Sequence, residues 1–133
     1  MMRRVGFFLL ALVAGYAAMI VGIFIAQEAL FGGVTYQETP LPQLLIAGAL
    51  TTASAAIGGA VAAMIFGKPF YPPCLAMSFL VVAETVYMVS TGQMPGPVWF
   101  DATASASLVV GILFGAFVIS RRVPKPVPVP TAT

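Results

Sequence analysis

Residues 44–66 read LLIAGALTTASAAIGGAVAAMIF, a stretch without a single charged side chain. A helix of about 20 apolar residues crosses the roughly 30 Å of hydrocarbon in a bilayer, and this stretch is long enough to do so. Between residues 47 and 63 only Leu50, Ile57 and Val61 are large, and the other positions carry Ala, Gly, Ser or Thr. Small residues let helix backbones approach closely in lipid. The stretch therefore predicts a membrane-spanning helix that is surrounded by protein on most of its sides.

One apolar stretch of similar length precedes this one and two follow it, and the gaps between the stretches are rich in Gly and Pro. Lipid offers no hydrogen-bond partner to a free backbone N–H or C=O, so helices are the structure expected for such stretches. We predict helices over residues 5–31, 44–66, 71–91 and 98–120. The predicted fold is an all-α, four-helix transmembrane bundle whose helices run antiparallel, up-down-up-down.

The bundle is predicted to form one domain over residues 1–122. Residues 123–133 alternate Pro with Val for most of their length and cannot continue a helix. We therefore predict a flexible tail with an extended polyproline conformation. Two hypotheses for this tail stay open, a cytoplasmic spacer and a docking strip for a partner.

The composition excludes several classes of protein. Of the 133 residues, 60% are hydrophobic and 8% are charged, whereas an average soluble domain is about 25% charged. A soluble fold of this size could not bury so much apolar surface, which excludes a soluble enzyme, a nucleic-acid-binding domain and a disordered chain. The chain has no His and only one Cys, Cys74, so it lacks the commonest metal ligand and cannot form an intrachain disulfide. It also lacks a nucleophile–base pair, and we expect no cofactor, no metal and no catalysis.

The basic residues lie at predicted helix ends that four crossings bring to one side of the membrane. They are Arg3, Arg4, Lys68, Arg121, Arg122 and Lys125. The other side receives Glu38 and no Lys or Arg. The positive-inside rule then predicts that both termini are cytoplasmic. A cleavable signal peptide is the alternative for residues 1–30, but its apolar segment would be only about 7–15 residues long.

Glu84 is the most informative polar residue, because it interrupts the third apolar stretch. At about 1.5 Å per residue it lies roughly 20 Å from Tyr71, within hydrocarbon depth and nearer the outer surface. An ionised acid there costs a few kcal/mol. We expect Glu84 to be protonated or solvated by a water-filled cavity, with Tyr87 or a Thr or Ser as its partner. A functional site and a neutral clamp between two helices are both open hypotheses.

Two other acids, Glu28 at the end of helix 1 and Asp101 in the first turn of helix 4, are candidates to join Glu84 near the outer face. A carboxylate at the start of a helix is stabilised by the helix dipole, so a structural role is favoured for Asp101. Three acids without a base would bind a cation or protons. The predicted supporting polar residues of this outer half are Tyr87, Thr51, Thr52 and Thr103.

Small residues also predict which helices touch. Helix 2 is expected to contact helices 1 and 4, with any spare small-residue face available for a homodimer. The predicted packing residues are Gly15, Gly22, Gly58, Gly59, Gly111 and Gly115.

The chain resembles small, uncharacterised four-helix proteins of bacterial inner membranes. The similar features are Glu28 at the end of helix 1, Gly58-Gly59 with Ala62-Ala63 in helix 2, Lys68 in a tight turn, and Pro97-Val98-Trp99-Phe100 at the start of helix 4. The resemblance implies the four-helix topology and a multi-pass location in a bacterial inner membrane, and it brings no activity with it. The length also matches small multidrug transporters, which place an essential Glu inside helix 1, where this chain has none.

Two hypotheses for function follow. The first is a non-enzymatic structural or accessory subunit, partnered by the lipid bilayer and by a homo-oligomer or larger membrane complex. The alternative is a small proton- or cation-linked transporter or channel that uses Glu84.

Overall fold

The computed structural model describes residues 1–124, and the rest of the predicted tail, including Lys125, lies outside this range. Within it there are four α-helices: α1 (Met2–Phe24), α2 (Leu41–Phe66), α3 (Tyr71–Ser90) and α4 (Val98–Arg122). A single π-helical turn, Ile25–Ala29, continues α1. All four helices are long and apolar enough to cross a membrane. The described chain therefore has the all-helical form of a multi-pass membrane protein.

The helix ends differ from the predicted ones by a few residues, and α2 shows why. It begins at Leu41 rather than at residue 44, so Pro42 lies in its first turn. Proline is accepted there because the first N–H groups of a helix have no intrahelical partner. Pro72 and Pro73 occupy the same place in α3. Prolines interpreted as part of the loop before α2 thus help to start the helix.

The other differences concern charged residues. The first helix begins at Met2 instead of residue 5, which brings Arg3 and Arg4 into its first turn, and its π turn ends at Ala29 instead of residue 31. The last helix continues past residue 120 to include Arg121 and Arg122. Basic residues in the last turn are stabilised by the helix dipole.

Helix α2 packs along α1 on one side and along α4 on the other. On the α1 side, the Cα of Gly15 faces Ala62 and the carbonyl of Gly58, while Gly22 faces Ser54. Higher residue numbers in α1 thus contact lower residue numbers in α2, so these two helices are antiparallel. A side chain at Gly15 would lie about 2.7 Å from the Ala62 Cβ, closer than two carbon atoms can approach.

The contact between α2 and α4 is tighter still. A Cβ on Gly59 would overlap the backbone carbonyl of Ile112, and a Cβ on Gly115 would overlap that of Ala56. Gly111 in turn faces the carbonyl of Thr52. Thr52 faces Gly111 and Ala56 faces Gly115, so residue numbers rise together along the two helices and α2 and α4 are parallel. All six glycines that we predicted for packing lie at these two contacts.

Helix α3 is embedded along its first half only. Pro73, Cys74, Met77, Ser78 and Val81 are buried, and the Cys74 thiol donates to the carbonyl of Gly59 in α2 at 3.4 Å. Most of the second half, from residue 82, lies on the surface of the described chain. The interior is built from small residues and a few large ones, Met19, Met77 and Ile112 among them. Large apolar side chains cover the outside, as a bundle surrounded by lipid requires.

We expect Gly59→Ala to lower the free energy of unfolding by about 1–3 kcal/mol, because the new methyl group must displace the Ile112 backbone. The measurement is unfolding by denaturing detergent from micelles, followed by circular dichroism. Gly48→Ala is the matched control in the same helix, since a Cβ there meets nothing within 4 Å. It should leave stability unchanged or raise it by up to about 1 kcal/mol. Equal stability of the two variants would contradict the backbone contact.

Candidate functional site

The strongest candidate site joins α1 to α3 through a single hydrogen bond. The hydroxyl group of Tyr16 donates to Oε2 of Glu84, and the oxygen–oxygen distance is 2.5 Å. Tyr16 and Glu84 each lie about 20 Å along their helices from Met2 and Tyr71, at about 1.5 Å per residue. The two side chains meet because they reach the same depth on neighbouring helices. We call them the Tyr16–Glu84 pair.

This pair lies on the flank of the bundle rather than inside it. Glu84 is exposed and Tyr16 is half-buried. Leu80 and Tyr87, one helical turn before and after Glu84 on the same face of α3, are also exposed. Among residues 1–124, the hydrogen bond from Tyr16 is the only side-chain hydrogen bond that Glu84 makes. One carboxyl oxygen is therefore satisfied, and the other has no side-chain partner among residues 1–124.

The partner of Glu84 differs from the one we expected. Tyr87 has 61% of its surface exposed, and neither it nor a Thr or Ser bonds to the carboxyl group in the described chain. The phenol comes instead from a different helix. Tyr16 and Glu84 lie at nearly the same number of residues from the starts of their helices. The sequence could have paired them on that basis, but only if α1 and α3 were known to be neighbours.

The hydroxyl groups of the predicted supporting residues bond mainly within their own helices. Thr52 donates to the carbonyl of Gly48 at 2.9 Å, and Thr103 donates to that of Trp99 at 2.7 Å. Thr51 accepts from the amide of Gln27 at 3.4 Å, which links α2 to the π turn after α1. None of these three hydroxyl groups bonds to Glu84 within residues 1–124.

Glu28 and Asp101 lie apart from the pair. Glu28 is exposed in the π turn, and Asp101 is half-buried in the first turn of α4 without a side-chain capping hydrogen bond. No group of three or more Asp, Glu or Cys side chains within residues 1–124 could hold a metal ion. The predicted set of three acids therefore does not form a shared cation site in this structure.

An aromatic cluster anchors the loop between α1 and α2 to the start of α4. The ring of Tyr36 packs against Trp99 at 5.7 Å and against Phe100 at 4.9 Å between centroids. A depression of about 160 Å³ lies beside it and is lined in part by Tyr36, Glu38 and Gly96. Aromatic residues are typical of the membrane–water interface. This cluster marks the edge of the bundle near Glu38.

No protein-family model, curated protein or solved structure matches the chain. The resemblance to small four-helix proteins of bacterial inner membranes therefore stays a prediction. What the site can do follows from its own geometry. A carboxyl group bonded to a phenol can hold a proton, and it can also clamp two helices together.

The two members of the pair should be energetically coupled. A double-mutant cycle with Tyr16→Phe and Glu84→Ala is expected to give a coupling energy of about 0.6 kcal/mol, and no more than about 1.7, as for other hydrogen bonds in membranes. Unfolding by denaturing detergent measures it. Tyr87→Phe combined with Glu84→Ala is the control and should be additive, because Tyr87 makes no such bond within the described residues. A coupling of zero in the Tyr16 cycle would exclude the clamp.

Proposed function

We propose that the protein is a non-enzymatic subunit of a larger assembly in a bacterial inner membrane. One observation carries this proposal: the carboxyl group of Glu84 lies on the exposed flank of the bundle, about 20 Å along α3. A polar acid in contact with hydrocarbon costs a few kcal/mol. The bond from Tyr16 offsets part of that cost. A protein partner that covers the flank and bonds to the second carboxyl oxygen would remove the rest.

The surroundings of the pair favour a partner over a solvated cavity. Leu80 and Tyr87 lie on the same face of α3 as Glu84 and give the carboxyl group a largely apolar, exposed surrounding. Polar side chains between membrane helices act in this way, as directional contacts within an otherwise apolar interface. The partner is either another membrane protein or a second copy of this chain.

Transport of protons or cations is the second candidate function. The Tyr16–Glu84 pair supports it, because an intramembrane carboxyl group that is exposed at its site can bind and release a proton. The depression beside Tyr36 is lined by other residues, so it does not lead to Glu84.

Glu84→Gln separates the two functions. Gln keeps an oxygen that can accept from Tyr16 but cannot exchange a proton. For an accessory subunit, we expect the variant to co-purify with the same partners, or with itself, and parent vesicles to show no flux of protons or Na⁺. Loss of a flux that the parent protein has, with assembly intact, would overturn the accessory role and establish transport. Glu38→Gln is the matched control outside the helices and should change neither measurement.

We also propose that the chain crosses the membrane four times, up-down-up-down, with both termini in the cytoplasm. The antiparallel register of α1 and α2 and the parallel register of α2 and α4 support this arrangement. The charges support its orientation. Arg3, Lys68 and Arg121 lie toward the end of the bundle where α1 begins and α2 and α4 end, and Glu38 lies in the loop at the opposite end.

Single cysteines test this orientation in a Cys74→Ala background. In spheroplasts, a membrane-impermeant thiol reagent should label Glu38→Cys and leave Lys68→Cys unlabelled until the membrane is permeabilised. Glu38 and Lys68 are in loops at opposite ends of α2, which makes them a matched pair. Labelling of Lys68→Cys before permeabilisation would reverse the proposed orientation.

A further inference from the structure

A cavity of about 400 Å³ lies between the turn that joins α2 to α3 and the end of α4. Its volume falls in the range of small-molecule sites, roughly 300–1,000 Å³. Met64, Phe70, Ile119 and Val123 give it an apolar wall, and Lys68 is the one charged residue in its lining within the described chain. We call it the Lys68 cavity. Neither candidate function above uses it.

The Lys68 cavity lies in the most basic part of the molecule. Arg121 and Arg122 form the last turn of α4, directly before Val123 in its wall. The guanidinium group of Arg121 lies over the ring of Phe117 at 5.0 Å, which holds that charge at the edge of the bundle. All four acids of the chain lie elsewhere, at positions 28, 38, 84 and 101. Among residues 1–124 no carboxylate lines the cavity to neutralise Lys68, so the cavity favours an anion.

The position of the cavity limits what that anion is. Helices α2 and α4 both end beside it, where the negative ends of their dipoles repel an anion, whereas α3 begins after Phe70, where the positive end of its dipole attracts one. The one full positive charge of the described lining is that of Lys68. The wall below is apolar and partly open, with 58% of Met64 exposed. A phosphate with an attached hydrocarbon chain has a negative charge for Lys68 and an apolar chain for the apolar wall.

We infer that the Lys68 cavity binds the headgroup phosphate of an anionic phospholipid. Lys68 supplies a flexible point charge to the phosphate, and Met64 and Ile119 pack against the start of an acyl chain. Basic cavities between helices at a membrane surface bind anionic headgroups in this way. The inference rests on the proposed crossing of the membrane, and it does not depend on which end is cytoplasmic.

Native mass spectrometry of the full-length protein in detergent tests the site, with phosphatidylglycerol as the anionic probe and phosphatidylcholine as the neutral one. We expect phosphatidylglycerol to be retained preferentially. Lys68→Gln should weaken its binding about fivefold, the factor expected for one basic contact with an anionic lipid. Arg3→Gln is the matched control, since it removes the same charge from the same end of the bundle but outside the cavity. It should leave the binding of phosphatidylglycerol nearly unchanged.

Ile119→Trp gives a second test that leaves the charge unchanged. The larger ring should fill the cavity and weaken the binding of phosphatidylglycerol, with the helical content monitored by circular dichroism. Equal losses for Lys68→Gln and Arg3→Gln, or equal retention of the two lipids, would overturn the inference in favour of diffuse surface charge. Inorganic phosphate that binds as tightly as the lipid would overturn it in favour of a soluble ligand. Lipid binding in a detergent micelle does not depend on which end of the bundle is cytoplasmic, and none of these variants changes Glu84. The results are therefore independent of the labelling test of orientation and of the Glu84→Gln test.

Discussion

Helices α2 and α4 can touch as they do only because their contact points carry no side chain. At Gly59 and Gly115 the facing group is a backbone carbonyl, and even a methyl group would overlap it. Lipid provides little hydrophobic force between apolar helices, so close packing and weak polar contacts must hold the bundle together. Those contacts fix α2 between its two neighbours. Helix α3, which carries Glu84, packs against α4, α1 and α2.

The small residues of the interior leave the large apolar side chains outside, which explains why Glu84 is unusual. A flank made of apolar residues such as Leu80 is what lipid requires. Glu84 lies on the same flank and has only Tyr16 to bond with among residues 1–124. Within the isolated bundle the bond to Tyr16 satisfies one oxygen of the carboxyl group, and the other oxygen has no side-chain partner among residues 1–124. That is the physical basis for proposing a partner, and it also explains why transport is the competing hypothesis.

The sequence was sufficient for the helices and their packing residues, but not for the site. Apolar stretches and small residues are local signals, so the four helices and glycines such as Gly58 and Gly111 could be predicted from them. Prolines were less informative, because Pro42 is equally compatible with a loop and with the first turn of a helix. The Tyr16–Glu84 pair depends on which helices are neighbours and at what depth. No pattern in either helix alone contains that information.

The two halves of α3 are held in different ways, and this difference links packing to function. Its first half is buried and bonds to α2 through the thiol of Cys74 and the carbonyl of Gly59. Along its second half, the bond between Glu84 and Tyr16 is the only side-chain hydrogen bond to another helix within the described chain. Any proton, cation or partner group that engages Glu84 therefore binds the same carboxyl group that ties this half of α3 to α1. Binding at the flank and the packing of α3 are consequently coupled, whichever of the two functions the carboxyl group serves.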